Sequence, residues 1–378
     1  MDRPGRVCTI SMCVLKMLRA SGTVSMVAAL AACSTAQPMT ITSRGTFDLP
    51  AATTDQFGHA VAITGVSGIT MAPEPGETLT RRFLAVMDNS NVVLELAVTL
   101  AGDGAVLSAG VVRAIRLSET HDYEGIIATD ASRGTVFVSD EDTPAIREFR
   151  LADGSLVRTL PTPAVYASRR PNFGFEALGG VVADSSTQAL TLSMWTCNEE
   201  ALTVDGSLST ASTGTVVRLQ RYTVGDHQVA PGPQVAYQAE PLHGVPISGS
   251  RSGVADLVML PDGRVLTLER SFALSSLGLF RTRIFAVDFT GTTDVSSMPG
   301  LVGQSYAGIT RANGRKRLLY EGDRTNLEGL TLGPRLGEGA FSLLGVVDDG
   351  DPISVNRLVA FEIAGVGNVP LRRWPAER

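Results

Sequence analysis

The feature that most constrains the fold of this chain is an internal repeat. The segment YEGIIATDASRGTVFVSDED, residues 123–142, has a close counterpart in NLEGLTLGPRLGEGAFSLLGVVDDG, residues 326–350. Three further copies begin at Gly65, Gly174 and Gly253. Each copy contains a strand-like run, a turn rich in Gly, Pro or Asp, and a second strand-like run that ends near Asp or Glu. Self-similarity at this spacing is typical of tandem structural repeats.

Two more strand-like runs follow most copies, such as AIREFRLADG and SLVRTLP after the copy at residues 123–142. Period-two alternation with turn signals indicates antiparallel strands, and four strands per unit predict an all-β β-propeller. We expect five four-stranded blades. The last copy has three runs, so we expect ITSRGTFDLP, residues 41–50, to close its blade. A sixth, degenerate blade and a β-sandwich with coincidental repeats are the alternatives.

The N-terminal segment has the pattern of an export signal. Lys16 and Arg19 precede the apolar run VSMVAALAA, and small residues then lead to Cys33. This order predicts a signal peptide, and LAAC, residues 30–33, resembles the lipobox of bacterial lipoproteins. The resemblance implies lipidation of Cys33; an ordinary secretory signal is the alternative. We expect a signal peptide at 1–32, a lipid-anchored linker at 33–43, the propeller at 44–365 and a tail at 366–378.

Charge and cysteine content limit the partners of the chain. Residues 1–32 hold four of the 32 Lys and Arg residues and one of the 38 Asp and Glu residues, so the remainder has a net charge near −9. Without a basic cluster, nucleic acid is excluded as an expected partner. Beyond Cys33 there remains Cys197, so no internal disulfide is expected. We expect a monomer in the cell envelope, outside the cytoplasm, held to a membrane by its lipid.

The repeat places acidic residues at equivalent positions. Inner strands line the channel of a propeller, so these acids should form rings around its axis. Carboxylates at close quarters require Ca²⁺, arginines or hydrogen bonds to neighbouring backbone N–H groups, and the last would be purely structural. The first-strand ring is predicted to contain Ser67, Glu124, Glu176, Asp256 and Glu328. The second-strand ends supply Asp88, Asp140, Glu141, Glu199, Glu269, Asp348 and Asp349.

Several of these segments carry a family resemblance. YEGI, NFGFEAL, ADLVMLPDGRVLTLERSF and NLEGLTLGP resemble the phytase-like family, also described as esterase-like activity of phytase, over residues 65–363. The resemblance implies a Ca²⁺-assisted hydrolase of phosphate or other small-molecule esters. Its implied catalytic residues are Glu124, Glu176, Asp256 and Glu328. The predicted metal ligands are Glu124, Glu176, Glu328, Asp140 and Glu269, and the predicted substrate-binding residues are Arg270, Arg170 and Arg283.

Other nucleophiles and bases give weaker signals. GSRSG, residues 249–253, has Arg251 where a G-x-S-x-G nucleophile elbow needs serine. His121 is a candidate general base at the channel, or a residue near a strand end without a role in catalysis. Cys197 is expected to be a buried structural cysteine. A non-catalytic envelope propeller that binds a protein, glycan or small ligand is therefore kept as the alternative function.

Overall fold

The computed structural model of this protein describes residues 38–367, apart from residues 75, 77, 183–189, 323–324 and 351–353. These residues form antiparallel strands and two short 3₁₀ helices, Ala164–Ser168 and Gly337–Gly339. The strands are β1 (Thr40–Asp48), β2 (Ala52–Thr54), β3 (Ala60–Ala62), β4 (Val66–Met71), β5 (Thr80–Met87), β6 (Ser90–Leu100), β7 (Val106–His121), β8 (Tyr123–Ala128), β9 (Thr135–Asp140), β10 (Ala145–Arg150), β11 (Leu156–Thr159), β12 (Phe175–Val182), β13 (Thr191–Asn198), β14 (Val216–Gly225), β15 (Val229–Gln238), β16 (Arg251–Met259), β17 (Val265–Ser275), β18 (Gly278–Val287), β19 (Lys316–Gly322), β20 (Leu327–Arg335), β21 (Phe341–Val347) and β22 (Arg357–Ala364).

The strands form five four-stranded sheets, which are the five blades of a β-propeller. Blade 1 is β4-β5-β6-β7, blade 2 is β8-β9-β10-β11, blade 3 is β12-β13-β14-β15 and blade 4 is β16-β17-β18-β19. Blade 5 is β20-β21-β22-β1. The predicted fold is confirmed. In the described residues, the long spacing between the later repeats is taken up by the loops at 199–215 and 288–315, so the alternative of a sixth blade is not needed.

An N-terminal strand closes the ring, as the sequence predicts. β1 pairs antiparallel with β22, from Thr40 opposite Ala364 to Asp48 opposite Arg357. β1 is therefore the outermost strand of blade 5, and it covers the edge of β22 that would otherwise be unpaired. β1 begins at Thr40, so the propeller includes the last four residues of the predicted linker 33–43.

The cores of the fold lie between neighbouring blades. Alternate residues of each strand point to opposite faces, and the two faces of each blade meet apolar side chains of the blades on either side. One cluster joins Leu268 of blade 4 to Phe361 of blade 5, and another joins Ile127 of blade 2 to Leu178 of blade 3. Equivalent clusters join the other neighbouring pairs. This packing holds the five inner strands in a fixed ring.

Some sequence predictions fall outside the described residues. These are the signal peptide 1–32, Cys33 with the first residues of the linker 33–43, and the tail 366–378 beyond residue 367, so the lipid anchor stays a prediction. Within the described ranges, we find no helix that combines the length and the apolar character needed to cross a membrane.

Candidate active site at the mouth of the channel

A bulge near the start of each inner strand positions the first ring of side chains. We call the end of the channel where β4, β8, β12, β16 and β20 begin the mouth. In each of these strands the register with the second strand shifts by one residue at the same place. A bulge turns the extra residue away from the normal pairing. The residues at the bulges are Ser67, Glu124, Glu176, Ala255 and Glu328.

The bulges correct one predicted ring position. Ala255, not Asp256, is the blade 4 counterpart of the ring glutamates, and Asp256 takes the next position, opposite Leu268. Alignment of the five internal repeats placed Asp256 in the ring, because Asp256 is the acid nearest to the expected position and the strand register is not visible in the sequence. The other blades have Gly68, Gly125, Ala177 and Gly329 at the position of Asp256.

Asp256 lies among the inner strands of three blades. Its Oδ1 accepts hydrogen bonds from the N–H groups of Leu257 at 2.7 Å and Leu178 at 3.3 Å, and its Oδ2 accepts one from Leu330 at 2.7 Å. A side chain at Gly68 or Gly125 would collide with the next blade, so these two glycines let neighbouring inner strands approach closely. Burial raises the pKa of Asp256 to about 7. The structural alternative, a carboxyl bound to neighbouring backbone, describes Asp256 well.

The second-strand ends form a second ring at the mouth, in which blade 4 differs from the others. In each blade, the last pair before the bulge marks one residue of the second strand. The next residue along that strand is Asp88, Glu141, Glu199 or Asp348 in four blades, and it is Arg270 in blade 4. One basic residue therefore interrupts a ring of acids. This substitution makes the mouth asymmetric, although the repeat that builds it is regular.

The predicted ligands Asp140 and Glu269 lie one residue before this ring and pair with cations inside their own blades. Asp140 forms an ion pair with Arg147. Glu269 accepts hydrogen bonds from Tyr237 Oη at 2.5 Å and Lys316 Nζ at 2.6 Å. Both carboxylates therefore already have charged partners.

Arg270 organises one half of the mouth, which we call the arginine half. Its guanidinium donates to Glu199 Oε1 at 2.6 Å and Asn326 Oδ1 at 2.8 Å, and it forms an ion pair with Glu328. Arg270 Nη2 lies 3.8 Å from Glu176 Oε1. The guanidinium is buried and joins blades 3, 4 and 5. Removing one partner of a buried ion pair of this kind strongly destabilises the folded protein.

Arg251, at the start of β16, adds a second cation to the arginine half. Its Nη1 lies 3.3 Å from Glu199 Oε2, and a third of its side chain is exposed. Burial by itself would raise the pKa of Glu199, but Arg251 and Arg270 outweigh it and hold that pKa below its usual value. Glu199 is therefore ionised and fixed between two arginines, whereas Arg251 reaches toward solvent.

The other half of the mouth contains carboxyls without arginines and is called here the carboxyl half. Oxygens of Asp122, Glu124 and Glu141 lie within 4.8 Å of one another, and Glu141 also belongs to a second such group with Glu176 and Glu199. Burial raises the pKa of Glu124 and Glu141, and the neighbouring Glu176 raises both further. Without a counter-ion, these groups hold their protons.

The carboxyl half fits a hard divalent cation. Glu141 is 3% exposed, and its Oε1 has no hydrogen-bond partner among the residues that the structure describes. A buried unpaired oxygen costs free energy, so its position next to two further carboxyls favours an ion at this place. An all-oxygen donor set suits Ca²⁺, Mg²⁺ or Mn²⁺ rather than softer metals. Asp122, Glu124 and Glu141 are the residues that would hold it.

The remaining predicted residues lie away from these two groups. Arg170 donates to the backbone oxygens of Ala201 at 3.1 Å and Gly206 at 2.9 Å. Arg283 lies on the third strand of blade 4 and bonds to Glu321 at 3.1 Å. Their predicted role in substrate binding is therefore not supported by these contacts, which hold loops and strands together.

His121 and Cys197 also have structural surroundings. His121 ends β7, with its Nδ1 3.3 Å from Asp140 and its Nε2 3.5 Å from Glu119. Cys197 is fully buried in the cluster between blades 3 and 4, and burial raises the pKa of its thiol well above the usual value. A buried neutral thiol agrees with the structural role expected for Cys197.

Sequence analysis missed part of the mouth. It did not single out Asp122, and it treated Arg251 as a failed serine motif. The position of the bulge is what identifies these residues, because counting from the bulge places Glu141 and Arg270 at equivalent positions. Without coordinates, the one-residue offset of blade 4 hides that equivalence.

The opposite end of the channel, where the inner strands end, is apolar. A cavity of about 370 Å³ opens there. All five blades contribute to its walls. Its lining includes Ile69, Met71, Ile127, Leu178, Leu257, Met259, Leu330 and Leu332.

Comparison with known proteins gives the family and leaves the activity open. Residues 61–351 match the phytase-like family, described as esterase-like activity of phytase. No curated protein matches. Solved structures with similar folds include a humanized mutant of the Chaetomium thermophilum Polycomb Repressive Complex 2, at 11% identity and a TM-score of 0.36, covering 81% of this chain and 69% of that one.

Two enzymes are among the other similar structures. The PQQ-bound aldose sugar dehydrogenase of Streptomyces coelicolor is 11% identical, with a TM-score of 0.34 and coverage of 86% of this chain and 98% of that one. A luciferin-regenerating enzyme is 12% identical, with a TM-score of 0.32 and coverage of 80% and 93%. Identities and scores this low carry no argument about chemistry.

Proposed function

This chain belongs to the phytase-like family, and on that premise we propose that it hydrolyses phosphate esters with the help of a divalent cation, Ca²⁺ in the first place. One observation carries the proposal: the unpartnered, buried Glu141 Oε1 lies among carboxyls that extend to a pair of arginines. A phosphate ester needs both kinds of group, a cation to bind its oxygens and donors to hold its charge.

The two halves of the mouth have different tasks in this proposal. Asp122, Glu124 and Glu141 would hold the cation, and the chemistry that it would supply when bound is the activation of water and the polarisation of the phosphoryl group. Arg251 is partly exposed and donates to the phosphate oxygens. Arg270 is too buried to be the main contact, and it positions Glu199 and Glu328 through its hydrogen bond and ion pair.

The proposal includes the cellular setting expected from the sequence. The Leu30–Cys33 pattern supports export and lipidation of Cys33, and therefore a domain held at a membrane outside the cytoplasm. β1 begins seven residues after Cys33, so the chain between lipid and propeller is short. Mass spectrometry of the processed N-terminus would test this part; an unmodified Cys33 in the mature protein would contradict it.

The enzymatic proposal is tested by phosphate release and by ion binding on the same protein. We expect turnover of simple phosphomonoesters with Ca²⁺, loss of turnover with a chelator, and at least about 100-fold lower activity in Glu141→Gln, as for other groups that act directly in catalysis. Calorimetry should show weaker Ca²⁺ binding in the same variant. Glu95→Gln, at a partly buried carboxylate that pairs with Arg82 and Arg113 far from the mouth in sequence, is the matched control.

Two results would count against the proposal. Full activity of Glu141→Gln would move the reaction away from the carboxyl half. Ca²⁺ binding by a folded protein that releases no phosphate with any cation would favour the alternative of a non-catalytic envelope propeller. The Arg270 ion pairs, which stabilise three blades with no reaction involved, are the observation on which that alternative depends.

A further inference from the structure

An exposed apolar surface lies beside the arginine half of the mouth. It consists of Val245, Ile247, Leu274 and Leu277, and we call it the blade 4 wall. Their exposed fractions are 64%, 38%, 51% and 63%. Single exposed apolar side chains are common. Here four of them lie together, on the loop before β16 and on the neighbouring end of the β17–β18 hairpin, and such patches mark contact sites.

The wall is built into the fold. Val245 and Leu274 exchange two backbone hydrogen bonds, at 2.8 and 3.0 Å, which tie the loop before β16 to the end of β17. Gly244 lies so close to Leu274 that a side chain there would collide with the Leu274 backbone oxygen. The rings of Phe272 and Phe280 pack 5.0 Å apart beneath the turn that carries Leu277. These contacts present the apolar side chains on a fixed support.

The wall is next to Arg251. The turn from Ile247 to Ser250 is closed by a backbone hydrogen bond of 3.0 Å, and Arg251 follows at once. Arg251 pairs with Phe272, two residues before Leu274, so the wall begins about 7 Å from Arg251 along the strand direction. A phosphate held by Arg251 would have the wall within reach of the rest of its molecule.

The charge of the mouth limits the number of phosphates a substrate can carry. Arg251 and Arg270 are accompanied by eight carboxyls, those of Asp88, Asp122, Glu124, Glu141, Glu176, Glu199, Glu328 and Asp348. A bound divalent cation balances part of this charge around one phosphate. Further phosphates would meet carboxylates, and like charges in a partly buried site repel strongly.

We propose, on the basis of the proposed function, that the substrate is a phosphate monoester with an apolar body, whose chain packs on the blade 4 wall. The wall then determines specificity. A polyphosphorylated, wholly polar substrate does not fit this surface. Val245, Ile247, Leu274 and Leu277 act by removing the apolar part of the substrate from water, which stabilises the complex in proportion to the area covered.

The test is a series of ethyl, butyl and octyl phosphate, assayed with Ca²⁺ below micelle-forming concentrations. For the natural chain we expect kcat/KM to rise about 50-fold from ethyl to octyl phosphate, roughly twofold for each half-buried methylene. In Leu274→Ser/Leu277→Ser the rise should shrink to about threefold. Leu107→Ser/Val112→Ser removes side chains of similar exposure, 63% and 50%, from β7 and should keep the full rise.

A binding experiment separates this inference from the proposed function. The same chain-length series of alkyl phosphonates, which cannot be hydrolysed, is titrated into each variant by calorimetry. Tighter binding of longer chains without any turnover would support the blade 4 wall as the binding surface and would contradict the proposed enzymatic activity. Turnover that is independent of chain length, higher kcat/KM for phytate than for octyl phosphate, or no binding at all would each overturn the wall.

Discussion

The two ends of the channel are formed by the same five strands and have opposite chemistry. At the mouth the strands begin with Glu124, Glu176 and Glu328, whereas at the other end they contribute Met71 and Leu332 to an apolar cavity. Asp256 lies between the two ends. The comparison teaches that the repeat supplies the frame, and that a few residues at one end supply the chemistry.

The largest effect on stability is expected from removing the guanidinium of Arg270 from the mouth. Arg270→Met leaves Glu328 buried without its arginine and Glu199 with Arg251 alone, so the free energy of unfolding should fall by about 3–5 kcal/mol. Urea denaturation at pH 7 measures this change. Arg113→Met breaks the ion pair of an exposed arginine with Glu95, which keeps Arg82 as a partner, and should cost less than about 1 kcal/mol. Equal losses in both variants would mean that the mouth is as open to water as the surface.

A smaller, pH-dependent effect is expected from the carboxyl between the two ends. Burial raises the pKa of Asp256 to about 7, whereas in the unfolded chain it is about 3.9. Between these values the folded state binds more protons than the unfolded state, so the contribution of Asp256 to stability is complete at and below about pH 4 and is lost as the pH rises toward 7. The loss is up to about 1.4 kcal/mol per pH unit.

Asp256→Asn isolates this contribution, because the amide does not titrate. The stability of the natural chain minus that of the variant should decrease from pH 4 to pH 7 and then level off. Chemical denaturation at several pH values gives the curve. A difference that stays flat would mean that the three N–H donors from Leu178, Leu257 and Leu330 keep Asp256 ionised throughout.

The smallest effect is expected at the apolar end. The hydroxyl of Thr331 accepts a hydrogen bond from the N–H of Met71 at 3.3 Å. Thr331→Val keeps the shape and should lower the free energy of unfolding by about 1 kcal/mol. Ca²⁺ affinity should stay the same, because this end contributes nothing to the mouth. A weaker affinity for Ca²⁺ in Thr331→Val would show that the two ends are coupled.

The fold could be predicted because it repeats. Each copy of the repeat has its own alternation of apolar and polar residues and its own turn residues. A strand whose pattern is weak in one copy can therefore be assigned from the other copies. The closing strand was predictable for the same reason, because the last copy lacked one strand. The site was less predictable, since it depends on a one-residue register. Asp256 was assigned to the ring and Arg270 was not recognised as the blade 4 member of the second ring.

The sequence by itself determined the number of blades, the closing strand, the acidic character of one end of the inner strands and the buried state of Cys197. These follow from local pattern and from repetition. The tertiary structure decided which acids meet. Bulges set the register, so Glu141 joins Asp122 and Glu124, whereas Arg270 and Arg251 neutralise Glu199 from another blade. The contacts of Glu199 join residues of different blades, distant along the chain, and those of Glu141 depend on the bulge inside blade 2, so no local pattern encodes their distances.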